Sequence, residues 1–103
     1  MTLDALIVKL EAATDGSRTL DTLIERVIVA PGQSFPLTTP PYTSSLDAAL
    51  SLVPEGLDEE IKRARHRKGW HVALWKPSRI GQIGDAPIPA LALCIAALKA
   101  RNQ

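Results

Sequence analysis

Two proline-marked helix starts divide this chain and limit what it can fold into. One is Pro40-Pro41-Tyr42-Thr43-Ser44-Ser45-Leu46-Asp47-Ala48-Ala49-Leu50; the other is Pro89-Ala90-Leu91-Ala92-Leu93-Cys94-Ile95-Ala96-Ala97-Leu98-Lys99-Ala100-Arg101. A proline in a first helical turn costs nothing, because the amides there have no intrahelical partner, and its fixed φ already suits the helix. In the first segment Ser44 and Asp47 form a Ser-x-x-acid pair: the hydroxyl caps the first turn and the carboxylate answers the positive helix end. The spacing predicts a helix that buries Leu46, Ala49, Leu50 and Val53 and stops at Pro54-Glu55-Gly56. In the second segment Leu91, Cys94, Ile95 and Leu98 form a packing stripe, and Lys99 and Arg101 complement the dipole at the carboxyl end.

Ahead of these lie two more helical patterns. Leu3, Leu6, Ile7 and Leu10 recur at helical spacing over residues 2–13, with Thr2 as the cap and Asp15-Gly16 as the stop. A second helix from Thr19 to about Val29 carries Leu20, Leu23, Ile24, Val27 and Ile28 on one stripe, with Asp21, Glu25 and Arg26 expected to face water. Four prolines and a glycine between Pro31 and Pro41 make an extended connection.

The stretch from Leu57 to Gly84 is ambiguous from propensity alone. Residues 59–68 are good helix formers, whereas Trp70-His71-Val72-Ala73-Leu74-Trp75 has the β-branched and aromatic content of a strand. Here the order of motifs matters. The Tyr42 helix start with its Ser/Thr neighbours, followed by a closing Pro-Ala-Leu-Ala-Leu-Cys run, resembles the phage ABA sandwich domain family of small bacteriophage and prophage accessory proteins. The resemblance spans about residues 40–101. It departs from the family at Leu57, where many members carry Trp, and in the unusually basic run from Lys62 to Lys68. What the resemblance implies is an α+β fold: a small antiparallel sheet of about three strands packed between helices as an α/β/α sandwich. Strands are then expected near 59–66, 70–76 and 79–83, with Arg67-Lys68-Gly69 as a hairpin turn. The whole of 1–103 forms one domain, with 40–101 as its core and the two helices of 1–30 as a candidate dimerisation element.

Composition narrows the function classes. A chain of 103 residues can bury one core without metals or disulfides. A net charge of +1 is unlike that of a general nucleic-acid binder, which is usually strongly basic, so nucleic acid is the less favoured partner. No apolar run approaches a membrane span. The start of the chain has no basic, then apolar, leader pattern, and the lone Cys94 sits in an apolar helical run as a small buried hydrophobe; both point to the cytoplasm, by the resemblance that of a bacterial host.

No nucleotide-loop, zinc-protease, redox or hydrolase motif is present, so no cofactor is expected and a non-enzymatic role is favoured. His66 and His71 make a poor zinc site without further ligands. Asp85, Glu55 and Asp58 lack paired carboxylates at useful spacing and read as turn or capping residues. The strongest functional segment is Lys62-Arg63-Ala64-Arg65-His66-Arg67-Lys68-Gly69-Trp70. As a strand it would project Arg63, Arg65 and Arg67 from one face, a row of forked donors suited to phosphate, with Trp70 or Trp75 placed to stack on a base. A solvated strand edge guarded by charge explains the same residues, as does a docking strip for an acidic protein surface. Tyr42, Thr43, Ser44 and Ser45 make a second candidate, either a simple cap or an anion site at a helix start.

The resemblance implies a phage or prophage accessory protein, and with the basic segment this gives an expected function: sequestering a phosphorylated nucleotide signal in counter-defence, as a homo-oligomer with its pocket between subunits. The ligand-binding residues on this reading are Arg63, Arg65, Arg67 and Trp70, with Tyr42 and Ser44. The alternative is an inhibitor or adaptor that binds a host protein through the same basic strip.

Overall fold

The computed structural model describes residues 2–29, 39–63, 69–76 and 79–102. In chain order the elements are α1 (Leu3–Ala12), α2 (Arg18–Ile24), a π-helical turn (Glu25–Val29), α3 (Leu46–Leu50), β1 (Asp58–Arg63), β2 (Trp70–Lys76), β3 (Arg79–Ala86) and α4 (Pro89–Arg101). The three strands form one antiparallel sheet in the order β1-β2-β3. The fold is therefore α+β, as the sequence leads one to expect.

Side-chain caps place the helix starts. Thr2 Oγ1 accepts from the Ala5 N–H at 3.2 Å, and Ser17 Oγ accepts from Leu20 at 3.2 Å. The cap of α3 is Ser45, not Ser44: its Oγ accepts from the Ala48 N–H at 3.4 Å. The N–H groups of Ser44 and Ser45 both turn back to the Pro41 carbonyl, at 3.1 and 2.8 Å, and this tight turn delays the helix by one residue. Leu46 consequently lies exposed rather than buried, and α3 ends at Leu50, where bonds from Leu52 to Ala49 and from Val53 to Leu50 tighten the chain.

Pairing overrides helix propensity in the acidic half of residues 59–68. Asp58 to Arg63 pairs with Trp75 to Trp70 residue by residue. The third strand runs to Ala86, three residues past the expected end, because His71 and Trp70 pair with Asp85 and Ala86. Gly69 enters β2 at φ 152°, and a Cβ there would stand 2.7 Å from the Ala86 carbonyl oxygen, so the end of the hairpin requires glycine.

Strand alternation gives the sheet two different faces. Val72 and Leu74 are buried on the face that also carries Trp70, while His71, Ala73 and Trp75 take the opposite face. Helix α4 packs on the first face, against β2 and β3, and its other side meets α1 and α3. Among the described residues α4 is thus the middle layer. That position explains why every residue from Ala90 to Leu98 is buried, well beyond the one-sided stripe that helical spacing suggests. A helix apolar all round is one enclosed all round.

The sheet and α4 approach most closely at Gly84. A Cβ there would collide with the Ala92 carbonyl oxygen and lie 2.7 Å from the Ala96 nitrogen. Glycine on the strand and alanine on the helix let the two backbones come together. The apolar residues Leu6, Ile7 and Leu10 of α1 and Ile24 of α2 are all buried in the same core, so the faces expected to drive dimerisation are largely used inside the fold.

Candidate functional site

The β1–β2 pairing sets Arg63 opposite Trp70. The Arg63 guanidinium carbon lies 5.4 Å from the centroid of the Trp70 ring, within cation–π range. Arg63 is exposed and Trp70 half-buried, and the pair stands where β1 ends and β2 begins. A guanidinium held by an indole keeps five N–H donors for a ligand's oxygens. Arg65 and Arg67, with His66, lie outside the described residues.

The opposite face of the sheet carries paired polar side chains. Lys62 Nζ is 3.5 Å from Glu60 Oε1 on the same strand, and His71 Nδ1 is 2.7 Å from Asp85 Oδ1 across β2 and β3. Asp85 is therefore a strand residue with a side-chain partner across the sheet, His71, rather than a turn residue.

The Tyr42 segment is built into the interior. Tyr42 is 3% exposed, and its hydroxyl donates to Glu25 Oε2 at 2.5 Å. The N–H and Oγ1 of Thr43 donate to Asp21 Oδ1 at 2.8 and 2.7 Å, and the Ser17 N–H donates to Thr43 Oγ1 at 2.9 Å. Asp21 and Glu25, expected on the solvent side of α2, are instead 4% and 9% exposed. A signal for this is present in the sequence: Asp21, Ile24, Glu25 and Ile28 occupy i, i+3, i+4 and i+7, one face of a helix. Apolar patterning passes over it because carboxylates are read as outward, yet two hydroxyl donors twenty residues downstream satisfy them. The network accounts for Tyr42 as a structural tie between the loop and α2. Ser44 is exposed, and its Oγ lies over Gly16, where a Cβ would come within 2.5 Å. Of the six residues expected at a ligand site, the structure thus brings Arg63 and Trp70 together and places Tyr42 and Ser44 in and beside the α2 network.

A shallow open groove of about 330 Å³ runs along α2, lined by Arg18, Thr19, Thr22, Leu23 and Arg26. The Thr22 hydroxyl is already committed to the Arg18 carbonyl at 2.9 Å.

Cys94 is fully buried, and its Sγ donates to the Tyr42 carbonyl at 3.1 Å. Burial, with the nearby Asp21 carboxylate, pushes its thiol up to about 12. Burial and the hydrogen bond to Glu25 also raise the Tyr42 phenol above its ordinary value. Both groups favour their neutral form in the folded state, so their contribution is fully present below the unfolded values, about 9 for the thiol and about 10 for the phenol, and is lost as pH rises beyond them. The urea midpoint should hold up to about pH 8.5 and fall above pH 9, less steeply in Cys94→Ala, measured against wild type at each pH. A thiol reagent at neutral pH should label Cys94 only after denaturant is added; rapid labelling of the native protein would contradict this burial.

No family model matches this chain, and no match is found among curated proteins or among solved structures. The fold and the described residues therefore define only a class, a small α+β protein with an arginine set against an indole on adjacent strands. Among the described residues no helix is long and apolar enough to cross a membrane.

Proposed function

We propose that the protein is a non-enzymatic binder of a phosphorylated, base-bearing small molecule, held at the hairpin by Arg63 and Trp70. The observation that carries this reading is the stacked pair itself, a cation and an aromatic surface on adjacent strands. It lies at the mouth of a connection whose sequence is Ala64-Arg65-His66-Arg67-Lys68. Such a pair offers both chemistries that a nucleotide presents, anionic oxygens and a flat π system. A binding role is further supported by the interior carboxylates, whose described contacts are tyrosine and threonine donors, and by a buried thiol whose nucleophilic form is disfavoured. Together with the resemblance over residues 40–101, these features suit a phage or prophage accessory protein that sequesters a nucleotide signal in the host cytoplasm.

A thermal-shift screen against cyclic dinucleotides, cyclic ADP-ribose isomers and linear nucleotides tests this directly. Ligand at a hundred times its dissociation constant should add about 2.7 kcal/mol, enough to raise the midpoint by roughly ten degrees. The shift should vanish in Arg63→Ala and weaken in Arg65→Ala and Arg67→Ala. A flat response across the panel would remove the nucleotide reading and favour a host-protein target for the same strip.

A further inference from the structure

Strand β1 is an edge strand, and among the described residues nothing pairs with its outer side. The usual purpose of charge on such an edge is to repel other strands, which a single sign of charge or scattered lysines would do. The charges here are instead segregated. Asp58-Glu59-Glu60 forms an acidic half, Lys62-Arg63 a basic half, and Ile61 stands between them.

We propose that β1 pairs antiparallel with β1 of a second copy of this chain about a two-fold axis at Ile61, joining two three-stranded sheets into one of six. In that register Ile61 faces its own counterpart, Glu60 faces Lys62 of the second copy, and Glu59 faces Arg63, each pair twice by symmetry. Every charged pair is of opposite sign. Opposite charges directly across an antiparallel pair are favourable and like charges are not, so the sequence selects this register over its neighbours. A two-fold axis perpendicular to the sheet also keeps each face continuous. Glu59, Ile61 and Arg63 then meet on the face that carries Trp70, and Glu60 and Lys62 meet on the other.

The helical layer leaves room for this. Helix α4 rests on β2 and β3, and every β1 residue is exposed except half-buried Ile61. The 3.5 Å pair of Glu60 with Lys62 within each strand exchanges for one across the axis, two for two in the dimer, while Arg63 can keep its indole and present its donors to Glu59. A single strand edge is a small interface, so the dimer forms in a concentration- and salt-dependent equilibrium rather than as an obligate pair. This assembly needs no ligand to form, although it shares Arg63 with the ligand site proposed above.

Sedimentation equilibrium from micromolar to millimolar protein, at low and high salt, tests the pairing with two charge-reversed chains. One carries Glu59→Lys and Glu60→Lys; the other carries Lys62→Glu and Arg63→Glu. Wild type should dimerise reversibly, and more weakly in high salt. Each reversed chain alone faces like charges and should associate at least tenfold more weakly, while an equimolar mixture restores opposite charges at every position and should form a heterodimer. All four positions are exposed, and circular dichroism of each chain confirms that it folds. Wild type monomeric at millimolar concentration, or reversed chains that dimerise alone as well as wild type, or a mixture that stays monomeric, would each overturn the proposal. The Glu59→Lys, Glu60→Lys chain keeps Arg63 and Trp70, so its loss of dimer with ligand-induced stabilisation intact separates this interface from the nucleotide site.

Discussion

Gly84→Ala should lower stability by about 3 kcal/mol, the upper part of the range for overpacked cores, and depress the melting midpoint by roughly 12 °C or more. The methyl group would enter the space of the Ala92 carbonyl and the Ala96 nitrogen. Both obstacles are main-chain atoms of α4, so no rotamer change relieves the clash; the helix must lift from the sheet. Lifting it would loosen the contacts of Val72 and Leu74 with the helix that covers them. Val8→Ala on the exposed face of α1 serves as the control, with an expected change within about 0.5 kcal/mol. Thermal melts of both variants decide the matter. A Gly84→Ala protein that melts within a degree or two of wild type would mean that α4 does not cross the sheet at this point.

Asp21→Ala should cost about 2 kcal/mol, because it leaves the N–H of buried Thr43 without the oxygen that accepts it, while the Thr43 hydroxyl can still donate to the Ser17 carbonyl, 3.2 Å away. Asp21→Asn, which keeps an oxygen in place, should cost clearly less. Tyr42→Phe probes the second half of the network by removing the donor to the Glu25 carboxylate, and should cost about 2 kcal/mol. Urea titration of these single variants and of the Asp21→Ala, Tyr42→Phe double variant measures how far the two halves act together through the adjacent Tyr42 and Thr43. An Asp21→Ala variant as stable as wild type would show that Asp21 faces solvent after all.

Much of the architecture is legible in the sequence because caps and prolines act locally. Thr2 and the prolines before α4 mark their helices by chemistry confined to one turn, and the Trp70–Lys76 strand shows in its own composition. What is not legible depends on partners distant in the chain. By propensity alone residues 59–63 read as helix, and it is pairing with Trp70–Leu74 that holds them as a strand. The carboxylates of α2 read as solvated until Tyr42 and Thr43 reach them. Enclosure of α4 on every side follows from the layer order, which no single-helix pattern contains. At the candidate site the basic and aromatic residue types stand out, while the contact of Arg63 with Trp70 depends on register, and a one-residue slip would place them on opposite faces.

The most direct measurement of the binding reading is a fluorescence titration of the Trp75→Phe protein, in which Trp70 is the sole indole, with the nucleotide panel. A bound base stacking at the hairpin should quench and shift that emission saturably, and Arg63→Ala should abolish the response while the protein stays folded. Emission unchanged by every nucleotide, or a response that survives Arg63→Ala undiminished, would contradict a ligand site built on Arg63 and Trp70.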